Sequence, residues 1–345
     1  MQERVTIGVV GTGFGQQVHV PAFRRSPRCA VQAICASHQE RAEAAARTLG
    51  IPMASSDWRE LVADPDLDAL ALAVPPAIQA EIALAAARAG KHLFCEKPLG
   101  LNAGQARDIA VAARESKIAH AVDFIFPELP AWQKTRDLVQ SSFPGPIRHV
   151  ALTWRLETYS YRAATDSWKT SAASGGGTLN NFASHTFYYL EWLFGRIIKV
   201  AACLSPRLAE VEARVDAWVE FAAGFTGNIS IAADAFLGPG HRLEVYGDSG
   251  TIVLENAGMD YARGFRLSVG TRETPRLAPL AIAAEDDSTD GRIYPVSRIA
   301  SRFIDAILNT GEVSPGLREG LRVQVLLDAL RLADRDGAWQ DVGSA

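Results

Sequence analysis

Between Arg4 and about Asp123, short apolar runs alternate with alanine-rich amphipathic stretches, and this rhythm limits the chain more than any other feature. The runs at 5–10, 30–36, 69–74, 92–95 and 119–122 are rich in residues that suit strands buried on both faces. The stretches between them carry helix boundaries. Residues 39–49 stop at Gly50, residues 78–89 stop at Gly90, and residues 103–116 follow Asn102, whose side chain can accept from the free amides of a first turn. Strands and helices in strict alternation form βαβ units. Right-handed crossovers then give a doubly wound parallel sheet with helices on both faces.

Beyond Phe126 the texture changes. Pro127, Pro130, Pro144 and Pro146 break the pattern, and alternating runs follow at 150–155, 200–204, 215–221, 227–233, 243–246 and 251–254. These predict one antiparallel sheet, with a helix at about 181–193 inserted among them. Helical periodicity returns from Arg298 to Asp336, interrupted at Gly311 to Gly316, and the acidic stretch 281–290 reads as a mobile loop. The expected architecture is an α/β Rossmann domain at 1–123 followed by an α+β domain at 124–345 with a large open, mostly antiparallel sheet. The C-terminal helix is free to pack back on the first domain.

Composition narrows the function classes. Hydrophobic residues make up 48% of the 345 and charged residues 21%, with a formal charge of −4, so neither disorder nor a basic nucleic-acid or membrane surface is indicated. Met1 leads straight into an apolar strand without the features of a signal peptide, and no apolar run approaches the length of a membrane span. Cys29, Cys35, Cys95 and Cys203 are scattered without a C-x-x-C pair, which suits reduced thiols, a cytoplasmic location and no metal site. A small-molecule partner is expected.

The first strand ends in Gly11-Thr12-Gly13-Phe14-Gly15, at the turn where a dinucleotide pyrophosphate would meet helix amides. Gln16 stands where the usual fingerprint has its third glycine. After the second strand come Ser37, His38 and Arg41 rather than the carboxylate that holds the adenosine ribose of NAD. A hydroxyl beside cationic groups tolerates a 2′-phosphate, so NADP is favoured over NAD.

Glu96-Lys97-Pro98 follows the strand at 92–95. Together with the glycine turn, with Ala89-Gly90-Lys91-His92, with Gly175-Gly176-Gly177-Thr178-Leu179 before His185, with Tyr246-Gly247-Asp248-Ser249-Gly250, and with Phe303-Ile304-Asp305-Ala306-Ile307 ahead of Gly320-Leu321, it resembles the Gfo/Idh/MocA family of glucose-fructose oxidoreductase and inositol dehydrogenase. The resemblance covers nearly the whole chain. It implies that nicotinamide and a sugar, nucleotide sugar or cyclitol meet at the domain boundary, with hydride passing to or from a hydroxyl or keto carbon. Lys97 would bind cofactor and substrate and polarise the reacting oxygen, and His185 would exchange its proton. Glu96, Pro75 and Gln79 would serve the cofactor, Gln79 standing where many members carry histidine. The family's open sheet also implies a homodimer or homotetramer, for which Val215, Trp218, Val219, Ile229 and Ile231 are candidate sheet residues.

The departures from the family pattern bear on chemistry. Asn181 and Tyr188 replace two aspartates and Ala183 replaces a glycine, so Asn181 can hydrogen-bond a substrate hydroxyl but cannot hold an imidazolium by charge. In the segment before the glycine run, Trp154, Arg155, Tyr159, Tyr161, Arg162, Trp168 and Lys169 gather aromatic faces and donors suited to polyhydroxylated molecules. Arg155, Tyr161, Trp168 and Lys169 are the substrate candidates among them. Two other functions stay open at this point: a non-catalytic dinucleotide-binding regulator, and a reductase of a non-sugar carbonyl.

Overall fold

The computed structural model describes residues 4–162, 167–205, 207–208 and 210–343. The chain forms two compact units, one of residues 1–125 with 288–324 and one of residues 126–287 with 325–345.

The first unit holds a parallel six-stranded sheet of β1 (Val5–Val10), β2 (Cys29–Cys35), β3 (Met53–Ser55), β4 (Ala69–Leu72), β5 (His92–Cys95) and β6 (His120–Val122), in the order β3-β2-β1-β4-β5-β6. Ile7, Val9, Leu70, Leu72, Leu93 and Phe94 are fully buried, as strands covered on both faces require. The intervening helices are α1 (Val20–Arg24), α2 (Gln39–Leu49), α3 (Trp58–Ala63), α4 (Pro76–Arg88) and α5 (Ala103–Glu115). Asn102 caps α5 by accepting from the Gln105 amide at 3.0 Å, and Gly50 ends α2 in the left-handed region at φ 60°. Strand β3 and helix α3 were not expected from the sequence, being too short to show a period. Because the chain winds outward from β1 to β3 and then crosses back to β4, the strand order reverses between β1 and β4. Ligands of open α/β sheets bind outside the carboxyl ends of such neighbours.

In the second unit, α6 (Pro130–Gln140) precedes β7 (Ile147–Arg155), α7 (Tyr159–Arg162), α8 (Ser184–Phe194), β8 (Ile197–Leu204) and a short ribbon of β9 (Arg207–Leu208) and β10 (Val211–Glu212). Strands β11 (Arg214–Phe221), β12 (Thr226–Ala232), β13 (Gly240–Gly247), β14 (Gly250–Asn256), β15 (Arg266–Thr271), β16 (Ala278–Leu280) and β17 (Gln340–Asp341) complete a nine-stranded sheet of order β16-β15-β14-β13-β7-β12-β11-β8-β17. All its pairs are antiparallel except β7 with β12, which run parallel from Thr226 opposite His149 to Ala232 opposite Arg155. An alternating pattern fixes which face a residue takes but not the direction of its neighbour, so this pair was hidden from the sequence.

One face of this sheet is buried, and Val215, Val219, Ile229 and Ile231 belong to it, at 3% exposure or less. Only Trp218, at 51%, points outward among the residues expected near an association surface. The correction follows from the two-residue period: Trp218 alternates with Ala217 and Val219 along β11. The tail forms α9 (Ile293–Asn309) and α10 (Leu317–Asp336). Helix α9 belongs to the first unit, where Phe303 packs against Phe23 and Phe94. Residues 281–289 carry no helix or strand. Among the described residues no helix is long and apolar enough to cross a membrane.

Candidate active site

Gly11 leaves β1 at φ 115°, and a Cβ built there would lie 2.2 Å from the Ala73 carbonyl oxygen, so no side chain fits. The opposite holds at Gly13, where a Cβ would meet nothing within 4 Å. One glycine thus brings the turn hard against β4, and the other leaves open space over the backbone that a pyrophosphate can approach. Gly15 is buried under Val9, and a π-helical turn at Gly15–His19 accommodates Gln16 before α1 begins. Phe14 lies under the Arg292 guanidinium, 5.1 Å from its ring centroid. At the end of β2, Ser37 Oγ and His38 Nδ1 are 2.9 Å apart, and both residues are exposed, as is Arg41 in the first turn of α2. The structure brings these three to the carboxyl edge of the same sheet.

Glu96-Lys97-Pro98 forms the turn after β5, with a cis bond before Pro98. Gln79, on the first turns of α4 after Pro75, is 1% exposed, and its amide is spent on this turn. Its Nε2 donates to the carbonyls of Glu96 at 2.7 Å and Pro98 at 3.0 Å, and its Oε1 accepts from the Glu96 amide at 3.0 Å. Gln79 is therefore a clamp on the backbone around Lys97. Burial lowers the Lys97 pKa, and the nearby carboxylates of Glu96 and Asp123 oppose that shift.

Sequence reasoning missed two partners of this turn. His19 is fully buried, with Nε2 3.2 Å from Glu96 Oε1 and 3.5 Å from Asp123 Oδ2. Burial disfavours the imidazolium, but hydrogen bonds to Asp123 and Glu96 outweigh it and raise His19 to about 9. Burial and the Glu96 charge raise Asp123 to about 7. For Glu96, burial works upward, but His19 and Lys97 prevail and hold its pKa down. The signal was available: Glu96 and Asp123 each follow a buried parallel strand directly, and His19 lies four residues beyond Gly15.

In the second unit His185 sits in the first turn of α8, 5% exposed, and meets Phe126 edge to face with ring centroids 5.2 Å apart. Asn181 precedes it in a π-helical turn at Leu179–Ala183, whose Leu179 amide donates to Glu212 Oε1 at 2.8 Å. Tyr188, in an aspartate position of the family pattern, is buried at 8% exposure. Tyr161 is tied to the chain, its hydroxyl donating to the Glu212 carbonyl at 2.8 Å. Lys169 is exposed, with Nζ 6.0 Å from the Trp168 ring centroid, and its carbonyl accepts from the Gly177 amide at 2.9 Å. These two residues thus brace the glycine run ahead of Asn181.

Arg155 goes elsewhere. Trp154 is buried and stacks on His241 at 4.4 Å, so its neighbour Arg155 emerges on the opposite face of the sheet and donates to Ser230 Oγ at 2.7 Å. The structure does not bring Arg155 to the face on which Phe126 and His185 pack.

The profile of the oxidoreductase family with an NAD-binding Rossmann fold (GFO_IDH_MocA) matches residues 5–124, and that of the GFO/IDH/MocA C-terminal domain matches residues 132–253. An uncharacterized oxidoreductase of Synechocystis is 32% identical over 97% of this chain and 95% of its own. The chain belongs to the Gfo/Idh/MocA family. Among other members, levoglucosan dehydrogenase of Pseudarthrobacter phenanthrenivorans is 26% identical over 99% of this chain and 98% of its own. Inositol 2-dehydrogenase of Rhizobium meliloti is 26% identical over 94% and 95%. A solved structure of levoglucosan dehydrogenase in complex with NADH superposes with a TM-score of 0.88 at 25% identity, covering 99% of this chain and 100% of that one. This Gfo/Idh/MocA member is thus an oxidoreductase with an NAD-binding Rossmann fold, and the tight approach at Gly11 beside the open space at Gly13 fits a dinucleotide.

Proposed function

We propose that the protein is a dehydrogenase or ketoreductase that transfers hydride between NADP(H) and a hydroxyl or keto carbon of a sugar, nucleotide sugar or cyclitol. The observation that carries the proposal is Lys97, placed at the carboxyl edge of the parallel sheet by the Gln79 clamp and flanked by the carboxylates of Glu96 and Asp123. Relatives named for levoglucosan and inositol support the polyhydroxylated class.

The turn from Gly11 through Phe14 to Gly15 would hold the pyrophosphate, and Ser37, His38 and Arg41 the 2′-phosphate of the adenosine ribose. When bound, the nicotinamide supplies or accepts the hydride. In the reductive direction the carbonyl oxygen gains negative charge, and the Lys97 ammonium stabilises it most in the transition state. His185 exchanges the proton with that oxygen, and Asn181 hydrogen-bonds a substrate hydroxyl without contributing charge. Trp168 and Lys169 offer a ring face and a donor to the substrate. The protein associates with copies of itself through the outward face of the nine-stranded sheet, where Trp218 and Tyr246 are exposed.

Spectrophotometric turnover of NADP⁺ and NAD⁺ against a panel of aldoses, cyclitols and anhydrosugars tests the proposal, with sedimentation for the assembly. Reduction of cofactor by at least one polyol, faster with NADP⁺, is the expected result. Tight cofactor binding with no turnover of any polyol or ketose would replace it with the regulator reading.

A further inference from the structure

We propose that His19 is a positioning residue for hydride transfer: it ties the helix that follows the cofactor turn to Glu96 and Asp123 and thereby fixes Lys97. The inference rests on the assignment of Lys97 to the reacting oxygen. The geometry leaves the His19 ring little choice of orientation. Phe14, Phe23 and Phe94 surround it edge to face, with centroids at 5.3, 6.4 and 5.2 Å and interplanar angles of 86–89°. Only Nε2 reaches polar groups, the two carboxylates, while Nδ1 is buried without a hydrogen-bond partner.

Glu96 passes this constraint along. One carboxylate oxygen faces His19, and the other, Oε2, accepts from the backbone amide of Lys97 at 3.3 Å. With Gln79 holding the Glu96 amide and carbonyl, both the main chain and the side chain of the residue before Lys97 are fixed. The imidazolium also balances charge. Without it, two buried carboxylates would face each other, and the Glu96 carboxylate would be drawn toward Lys97 or would take up a proton. Among the described hydrogen bonds, His19 links the helix after the glycine turn to Glu96.

The three donor atoms also lie within 4.8 Å of one another, close enough to share an ion. Nε2 at 3.2 Å from Glu96 Oε1 is at hydrogen-bond distance, which accounts for the spacing with a proton as the bridging species.

The test compares wild type, His19→Gln, Lys97→Met and the double variant, using kcat, KM, the NADPH dissociation constant and thermal midpoint. Glutamine can still donate to the carboxylates but carries no charge. In His19→Gln, kcat falls about 10- to 100-fold, since small misplacement of a reacting group has effects of that order. KM and the NADPH dissociation constant stay within about threefold, a split that general destabilisation would not produce. On the Lys97→Met background the same substitution changes the residual rate by less than about threefold, because the residue through which His19 acts is gone. Asp123→Asn, which keeps the His19 contact with Glu96, shows the same split with a smaller fall in kcat, and it serves if His19→Gln does not fold.

Unchanged kcat in His19→Gln, or equal fold-losses on both backgrounds, overturns the proposal. So does loss of kcat on dialysis against EDTA with recovery on adding a divalent metal. If Lys97→Met itself turns over like wild type, the assignment of Lys97 fails first, and that result is separable from any outcome at His19.

Discussion

Replacing Gln79 by methionine keeps the volume and length of the side chain but removes its amide. Four hydrogen bonds are lost, at 2.7, 3.0, 3.5 and 3.0 Å, so the Glu96, Pro98 and Leu99 carbonyls lose a donor, while the Glu96 amide keeps its second acceptor, the Leu72 carbonyl, at 3.1 Å. No donor is orphaned, each lost hydrogen bond is worth about 0.5–1.5 kcal/mol, and burial of the thioether in place of an amide offsets part of the sum, for a net loss of about 1–3 kcal/mol. For a unit of this size that lowers the thermal midpoint by roughly 2–12 °C. Function should respond unevenly. Because the Gln79 amide is engaged by the turn, NADPH titrated by fluorescence should bind with a dissociation constant within about threefold of wild type, whereas kcat should fall at least about tenfold as Lys97 loses its fixed backbone. A dissociation constant raised tenfold or more with the thermal midpoint unchanged would refute this reasoning and return Gln79 to the cofactor.

Ser37→Asp places a carboxylate where the 2′-phosphate is expected and should invert the preference from NADPH to NADH; measured dissociation constants showing wild-type preference in the variant would count against the assignment. Lys97→Met should lower kcat more than His185→Ala does, since general acid help is about 10²- to 10⁴-fold and water can replace part of it, and steady-state rates at matched cofactor saturation decide the order. Stability should fall on the alkaline side. His19 is raised from 6.5 to about 9, so its contribution is complete below pH 6.5 and is lost as the pH rises through 9; urea midpoints should decline over that window in wild type and less steeply in His19→Gln.

Much of the framework was legible because it rests on short-range repetition. The period of two in β11 and the apolar runs of β1, β4 and β5 are local properties, and the glycine turn and the Glu96-Lys97-Pro98 turn sit where any βαβ array must put them, after strands. Short elements such as Met53–Ser55 escaped because three residues hold no period.

By itself the sequence determined the fold class, the two kinds of sheet and the residues that border the parallel sheet's carboxyl edge. The tertiary structure decided what those residues touch. It made Gln79 a clamp on the backbone around Lys97, sent Arg155 to the far face of its sheet, paired β7 with β12 in parallel, packed α9 within the first unit, and joined His19 to Glu96 and Asp123 across gaps of 77 and 104 positions in the chain. The physical reason is common to all five. Strand and helix periods are written in neighbours a few residues apart, whereas tertiary partners, polar or apolar, are whatever the folded chain brings into contact.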